Sequence, residues 1–131
     1  MRIAIFENEF DELKRAFDGF NLMYFRKALI YEIFPSAQAF GNLKNLKDYD
    51  FVIIDIDLSV RSTLDGFQLL DTLLHDQEIC GVKPIILTGQ PPIKEKLKQK
   101  KLPEVPIILK PLVYTEIKKS FDVAKPIEAY R

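Results

Sequence analysis

The stretch that decides the fold is FVIIDIDL, residues 51–58. It begins as a continuous apolar run and then places two carboxylates, Asp55 and Asp57, at its end. An ionised carboxylate is costly to bury unless a cation or a hydrogen-bond donor pairs with it. The stretch therefore predicts a buried strand whose carboxyl end opens onto a polar site.

Other apolar runs in the chain have the same character, rich in isoleucine and valine and without alternating polar residues. This composition is typical of strands that are buried on both faces of a parallel sheet. A more mixed run, LIYEIF at 29–34, is predicted to lie nearer the edge of the sheet. The runs predicted to be buried on both faces are RIAIF (2–6), FVIID (51–55), PIILT (84–88) and VPIIL (105–109).

Helical patterns separate these strands. Apolar residues recur at helical spacing in most of the intervening segments, and Ser36 is a candidate N-cap. The alternation predicts an α/β fold, a five-stranded parallel sheet with helices on both faces. The predicted helices cover residues 10–26, 36–46, a third from about 67 to a stop at Gly81, a very basic one with little apolar face at 92–101, and a fifth around 116–121 that ends before Pro126.

Composition excludes several classes of protein. The 131 residues suit one domain, and nineteen basic residues balance nineteen acidic ones, so no overall field favours nucleic acid or an anionic membrane. Cys80 is the single cysteine, which excludes an internal disulfide and suggests a small buried side chain, and His75 is the single histidine. The N-terminus resembles neither a signal peptide nor a membrane span, so we expect a cytoplasmic protein.

Chemically complementary side chains follow four of the predicted strands. Glu7, Asn8 and Glu9 come after the first, Asp55 and Asp57 after the third, Thr88 and Gly89 after the fourth, and Lys110 and Pro111 after the fifth. In a doubly wound sheet the ligand site lies outside the carboxyl ends of the strands. Because clustered carboxylates repel one another unless a cation lies between them, these oxygen ligands suit Mg²⁺.

Together these motifs resemble a response-regulator receiver domain, the CheY-like phosphoacceptor module of two-component signalling. The matching stretches, in order along the whole chain, are FENE (6–9), DIDL (55–58), LDG (64–66), PIILTG (84–89) and LKP (109–111). The resemblance implies a flavodoxin-like sheet of strand order 2-1-3-4-5, in a single domain over residues 1–131 without an output domain.

The resemblance also implies roles in phosphoryl transfer. Asp55 would accept a phosphoryl group from a sensor histidine kinase or a phosphotransfer protein. Lys110 would pair with one phosphoryl oxygen, and Thr88 would move to hydrogen-bond another. Gly89 would leave the site open, and Pro111 would follow a cis peptide bond that directs Lys110 inward.

The implied Mg²⁺ ligands are Glu7, Asn8, Asp55 and the backbone carbonyl of Asp57. In the family the acids after the first strand are usually aspartates, whereas Glu7 is one methylene longer and Asn8 is neutral. We therefore expect weaker Mg²⁺ binding, which Glu9 would partly offset.

Two further departures affect signalling. The loop from Leu58 to Gly66 is longer than usual in the family and carries Arg61, which either reaches over the site or is solvated. Ile107 stands where the family commonly has an aromatic residue whose rotamer changes on signalling. We therefore do not expect the usual switch by an aromatic rotamer at this position.

Three other functions are compatible with parts of the sequence. An atypical receiver could bind proteins independently of phosphorylation, with the basic helix at 92–101 docking an acidic partner. A toprim-type nucleic-acid enzyme would use Glu7, Asp55 and Asp57 for metal, but the glycines expected beside those acids are absent. A flavodoxin-like FMN carrier would need amide and hydroxyl donors where this chain has acids.

We expect a phosphoacceptor that assists its own phosphorylation and dephosphorylation, and not a turnover enzyme. Its downstream partner is expected to be a protein, with no direct contact with nucleic acid or membrane. The face formed by helix 4, strand 5 and helix 5 is the family's usual contact surface and would also serve a homodimer.

Overall fold

Five parallel strands form one sheet in the computed structural model, which describes residues 1–58, 60–90 and 92–131, without the side chain of Glu12. The strand order is β2-β1-β3-β4-β5, as predicted, with β2 at one edge. The strands are β1 (Arg2–Phe6), β2 (Ile30–Phe34), β3 (Phe51–Asp55), β4 (Lys83–Thr88) and β5 (Ile107–Leu109).

The inner strands β1, β3 and β4 are apolar between their ends because the sheet has a core on each face. Successive residues of β1 point alternately into the two cores. Ile3 and Ile5 belong to one apolar cluster, and Ala4 and Phe6 belong to the other. All four side chains are fully buried. The continuous hydrophobic run therefore serves both cores at once.

Helices cover both faces of the sheet. They are α1 (Lys14–Phe25), α2 (Ala37–Phe40), α3 (Gly66–His75), α4 (Ile93–Gln99) and α5 (Tyr114–Val123), with 3-10 helices at Phe10–Glu12, Leu43–Asp48 and Ile127–Tyr130. α1 and α5 share one core, which includes Phe20, Phe51 and Phe121. The Phe121 ring stacks on Phe51 with centroids 4.1 Å apart and meets Phe20 edge-on at 4.7 Å.

The second helix is much shorter than predicted. Ser36 is its N-cap, as expected, and accepts a hydrogen bond from the backbone of Ala39 at 3.2 Å. Gly41 then adopts a φ of +89°, and this change in the backbone ends the helix. Residues other than glycine rarely adopt such a φ. The Asn42 side chain caps the 3-10 helix that follows by accepting from Lys44 N–H.

Other boundaries also differ from the predictions. α3 ends at His75, well before Gly81, and the intervening turn inserts Ile79 into the core. β5 begins at Ile107, not residue 105. The early end of α3 reflects this tertiary contact, which overrides a weak local signal.

Two predictions about burial were wrong. Cys80 is only half buried, and its Sγ donates to the Gln77 carbonyl at 3.2 Å. α4 has a well-formed apolar side, because Ile93 and Leu97 are each 1% exposed. Among the described residues, no helix is long and apolar enough to cross a membrane.

Candidate functional site

Three charged side chains from three strand ends meet at one point on the rim of the sheet. Lys110 Nζ lies 2.9 Å from Glu7 Oε2 and 3.1 Å from Asp55 Oδ2. These residues follow β1, end β3 and follow β5, and parallel pairing brings those ends together. The predicted convergence of acids and an ammonium group is therefore present.

Asp55 is held in an environment that disfavours its charge. It is 2% exposed, and its Oδ1 accepts a hydrogen bond from the backbone N–H of Asp57 at 2.9 Å. Burial, followed by the neighbouring Glu7 carboxyl, raises the pKa of Asp55 to about 6, although the Asp57 N–H and Lys110 act in the opposite direction.

Lys110 partly compensates this negative charge. Burial by itself would lower the pKa of its ammonium group, but the contacts with Glu7 and Asp55 outweigh burial and raise it. One cation faces two buried carboxylates, so one negative charge is left uncompensated when both acids are ionised.

The excess of negative charge is evident at the side chain of Glu7. Its side chain is buried, and one oxygen, Oε1, accepts from the backbone N–H of Glu9 at 3.0 Å. The other oxygen, Oε2, approaches Lys110 but makes no hydrogen bond of acceptable geometry with the described part of the chain. A buried carboxylate oxygen with no hydrogen bond, next to a second carboxylate, is the chemistry that a hard cation satisfies.

The residues expected to bind Mg²⁺ therefore fit such an ion only in part. Glu7 and Asp55 supply two buried carboxylates, whereas Asn8, Glu9 and Asp57 are exposed. In the part of the chain that the structure describes, no group of three or more acidic, histidine or cysteine side chains is placed to hold a metal. Two carboxylates, a neutral amide and a backbone carbonyl remain a suitable oxygen set for Mg²⁺, which usually keeps several waters.

The remaining predicted residues adjoin the same rim. Thr88 is fully buried, and its Oγ1 accepts from the backbone N–H of Gln90 at 3.1 Å. Its carbonyl accepts from Lys110 N–H at 2.8 Å, which ties the ends of β4 and β5 together. The Lys110–Pro111 peptide bond is cis, and a Cβ on Gly89 would lie 4.0 Å from Lys110 Cβ, in ordinary contact.

Gly66, quoted in the sequence motif but given no role there, shapes the site. A Cβ at this position would lie 2.6 Å from Ile56 Cα and still closer to the carbonyl oxygen of Asp55. Only glycine allows the start of α3 to pack against the end of β3. Asp65 caps this start, accepting from Gln68 N–H at 2.8 Å while the Gln68 side chain accepts from Asp65 N–H.

The loop after β3 is tied to α2 by side chains that sequence reasoning missed. Gln38 donates to the Arg61 carbonyl at 2.7 Å and accepts from Thr63 N–H at 2.8 Å. Ser62 Oγ accepts from Ala37 N–H at 2.8 Å. Polar residues at these positions carried no local signal, because their partners lie about 25 residues away in sequence.

Comparison with solved structures identifies the fold. The bacteriophytochrome response regulator AtBRR aligns with a TM-score of 0.75 and 14% identity, over 99% of this chain and 93% of that one. The receiver domain of a DNA-binding response regulator (merR) from Colwellia psychrerythraea 34H aligns with a TM-score of 0.73, 19% identity and coverage of 93% and 95%. The chemotaxis response regulator CheY4 of Vibrio cholerae aligns at 0.70, with 12% identity and coverage of 92% and 95%.

These structural neighbours are response-regulator receiver domains, and the chain has their fold, which confirms the predicted sheet order. No protein-family model matches the sequence, and no curated protein matches it. At these identities the likeness establishes the fold, and the roles of individual residues remain predictions.

Proposed function

We propose that this chain is a receiver that accepts a phosphoryl group on Asp55 and thereby changes which protein it binds. The observation that carries the proposal is the position of Lys110 Nζ between Glu7 and Asp55, at the carboxyl ends of three parallel strands. A phosphoryl transfer requires little covalent chemistry from the protein beyond positioned charge, and this cluster supplies it.

The reaction is a displacement at phosphorus. A carboxylate oxygen of Asp55 forms a bond to the phosphorus of a phosphohistidine while the P–N bond breaks, and the imidazole keeps the electron pair. The product is an acyl phosphate. Lys110 would neutralise part of the charge on the transferred group, because its ammonium already lies 3.1 Å from the acceptor carboxylate.

Glu7 and Asp55 would hold Mg²⁺, assisted by the side chain of Asn8 and the backbone carbonyl of Asp57. Bound there, the ion would neutralise charge on the phosphoryl oxygens. Because Asn8 is neutral, we expect these residues to bind the ion more weakly than two aspartates would.

Thr88 would contact the modified Asp55. The hydroxyl oxygen accepts from Gln90 N–H, which leaves its own O–H free to donate to a phosphoryl oxygen. Forming that bond would shift the segment after β4, and this shift is the proposed signal to a partner. The donor in this scheme is a sensor histidine kinase or a phosphotransfer protein of the cytoplasm, and the chain acts as its substrate and not as a turnover enzyme.

The test is incubation with acetyl phosphate and Mg²⁺ followed by intact-mass measurement. We expect the mass of one phosphoryl group on the wild type, none on Asp55→Asn, and normal labelling of Asp71→Asn, at an exposed carboxylate on α3, as the matched control. Absence of label on the wild type, where a known receiver reacts in parallel, would contradict the proposal and favour a binding module that works without phosphorylation.

A further inference from the structure

The outer side of α4 concentrates positive charge. Residues 92–102 contain five lysines and one glutamate, in a chain with no formal net charge. The buried residues Ile93 and Leu97 lie one helical turn apart, so the lysines within α4 occupy the flanks that point away from the core, and Lys100 and Lys101 follow the end of the helix.

Most of this charge has no acidic partner among the residues that the structure describes. Lys94 Nζ lies 3.1 Å from Glu104 Oε1, in a pair whose side chains are 71% and 65% exposed. No carboxylate that the structure describes lies within ion-pair distance of the other four. We call these four residues the α4 lysine surface: Lys96, Lys98, Lys100 and Lys101.

Two members of the α4 lysine surface contact neutral groups instead. Lys96 Nζ donates to Gln90 Oε1 at 2.8 Å, and Lys100 Nζ lies 4.9 Å from the centre of the Phe67 ring. Neither contact removes the positive charge. The surface therefore presents a positive potential to solvent.

The stability of the helix accounts for this charge only in part. Lys94 with Lys98, and Lys96 with Lys100, are like-charge pairs at i,i+4, and such pairs destabilise a helix. α4 has only seven residues, too few to be stable alone. The helix dipole favours the cations of the last turn, Lys96 and Lys98, but it does not require so many of them without acidic partners.

We propose that the α4 lysine surface is the docking site for an acidic segment of a partner protein. Carboxylates of the partner would lie against the unpaired ammonium groups, and desolvation at the contact would strengthen these pairs. The proposal gives the chemistry of the downstream partner. It rests on the proposed function only for the signal that this binding would transmit.

A protein segment fits this surface better than nucleic acid. The seven residues of α4 span about 10 Å at about 1.5 Å per residue, which is short for the several phosphate contacts of a nucleic-acid site. No arginine occurs between Arg61 and Arg131, although arginine is the usual bidentate phosphate ligand. The adjacent aromatic face, Phe67, is covered by Lys100 and offers no open platform for a base.

Fluorescence anisotropy with a labelled poly-L-glutamate peptide tests the proposal, using the full unphosphorylated chain at low salt with EDTA. The chain has no net charge, so overall attraction does not mask a local site. We expect Lys98→Glu/Lys100→Glu to weaken binding at least about tenfold, since it places like charges at the contact. The matched control, Lys27→Glu/Lys47→Glu, changes the net charge equally at two other exposed lysines and should weaken binding less than about threefold.

Several outcomes would overturn the proposal. They are no binding of the peptide by the wild type, an equal loss in both double variants, or tighter binding of single-stranded DNA or anionic vesicles than of poly-L-glutamate. Lys98→Gln/Lys100→Gln, which removes charge without reversing it, should give an intermediate loss if the first variant folds poorly. The binding assay contains no phosphoryl donor. Failure of the peptide to bind and failure of labelling at Asp55 are therefore separate results.

Discussion

Replacing Asp55 with asparagine should stabilise the metal-free protein at neutral and alkaline pH. The folded chain raises the pKa of Asp55 from 3.8 to about 6, through burial and the nearby Glu7 carboxyl. Between these values the folded chain holds a proton that the unfolded chain has lost, so the free energy of unfolding of the wild type falls as the pH rises. At about 1.4 kcal/mol per pKa unit, the shift corresponds to roughly 3 kcal/mol.

This free energy is an upper limit for the gain in stability, because the neutral amide gives Lys110 a weaker partner than the carboxylate. Lys110 nevertheless keeps Glu7 at 2.9 Å, so its charge stays compensated. We therefore expect Asp55→Asn to raise the free energy of unfolding by about 1–3 kcal/mol at pH 8 and to have little effect at pH 4.

Urea denaturation in EDTA, from pH 4 to pH 8, measures this difference directly. Asp57→Asn is the control, since it removes an exposed carboxylate two residues away and should show no such pH-dependent gain. Saturating Mg²⁺ should narrow the gap by stabilising the wild type alone. A gap that is equal at pH 4 and pH 8, or a wild type that is the more stable at pH 8, would refute the reasoning.

Three further substitutions test the site and the core. Gly66→Ala should destabilise the fold by about 1–3 kcal/mol in urea titrations, because its Cβ would press on the backbone at the end of β3; an unchanged midpoint would show that α3 can shift freely. Lys110→Met leaves two buried carboxylates facing each other, so we expect a loss of up to about 3 kcal/mol at pH 8 that shrinks by pH 5, and a pH-independent loss would argue against a charge effect. Phe121→Ala removes the ring stacked on Phe51 and should cost about 3–5 kcal/mol by thermal or urea unfolding, whereas Val123→Ala, at a side chain 63% exposed, should change stability by less than about 0.5 kcal/mol.

Much of the architecture was predictable because it depends on local patterns. The run at 51–55 lacks alternation, and a strand buried on both faces needs no polar residue until it reaches the rim. Parallel pairing then brings the ends of separate strands to one edge. Residues 55 positions apart, such as Asp55 and Lys110, could therefore be assigned to one site without any local contact between them.

Contacts between distant segments decided the rest. Any glycine can adopt a positive φ, but only the folded chain shows that Gly41 does, which is why the second helix is shorter than predicted. The hydrogen bonds from Gln38 to the loop after β3 join residues about 25 positions apart and have no sequence signature. The raised pKa of Asp55 depends on burial and on the position of Glu7, and both are properties of the packed chain. The sequence alone determined which residue types reach the rim; only the tertiary structure decided their distances, burial and charge balance, because these require the strands to be assembled.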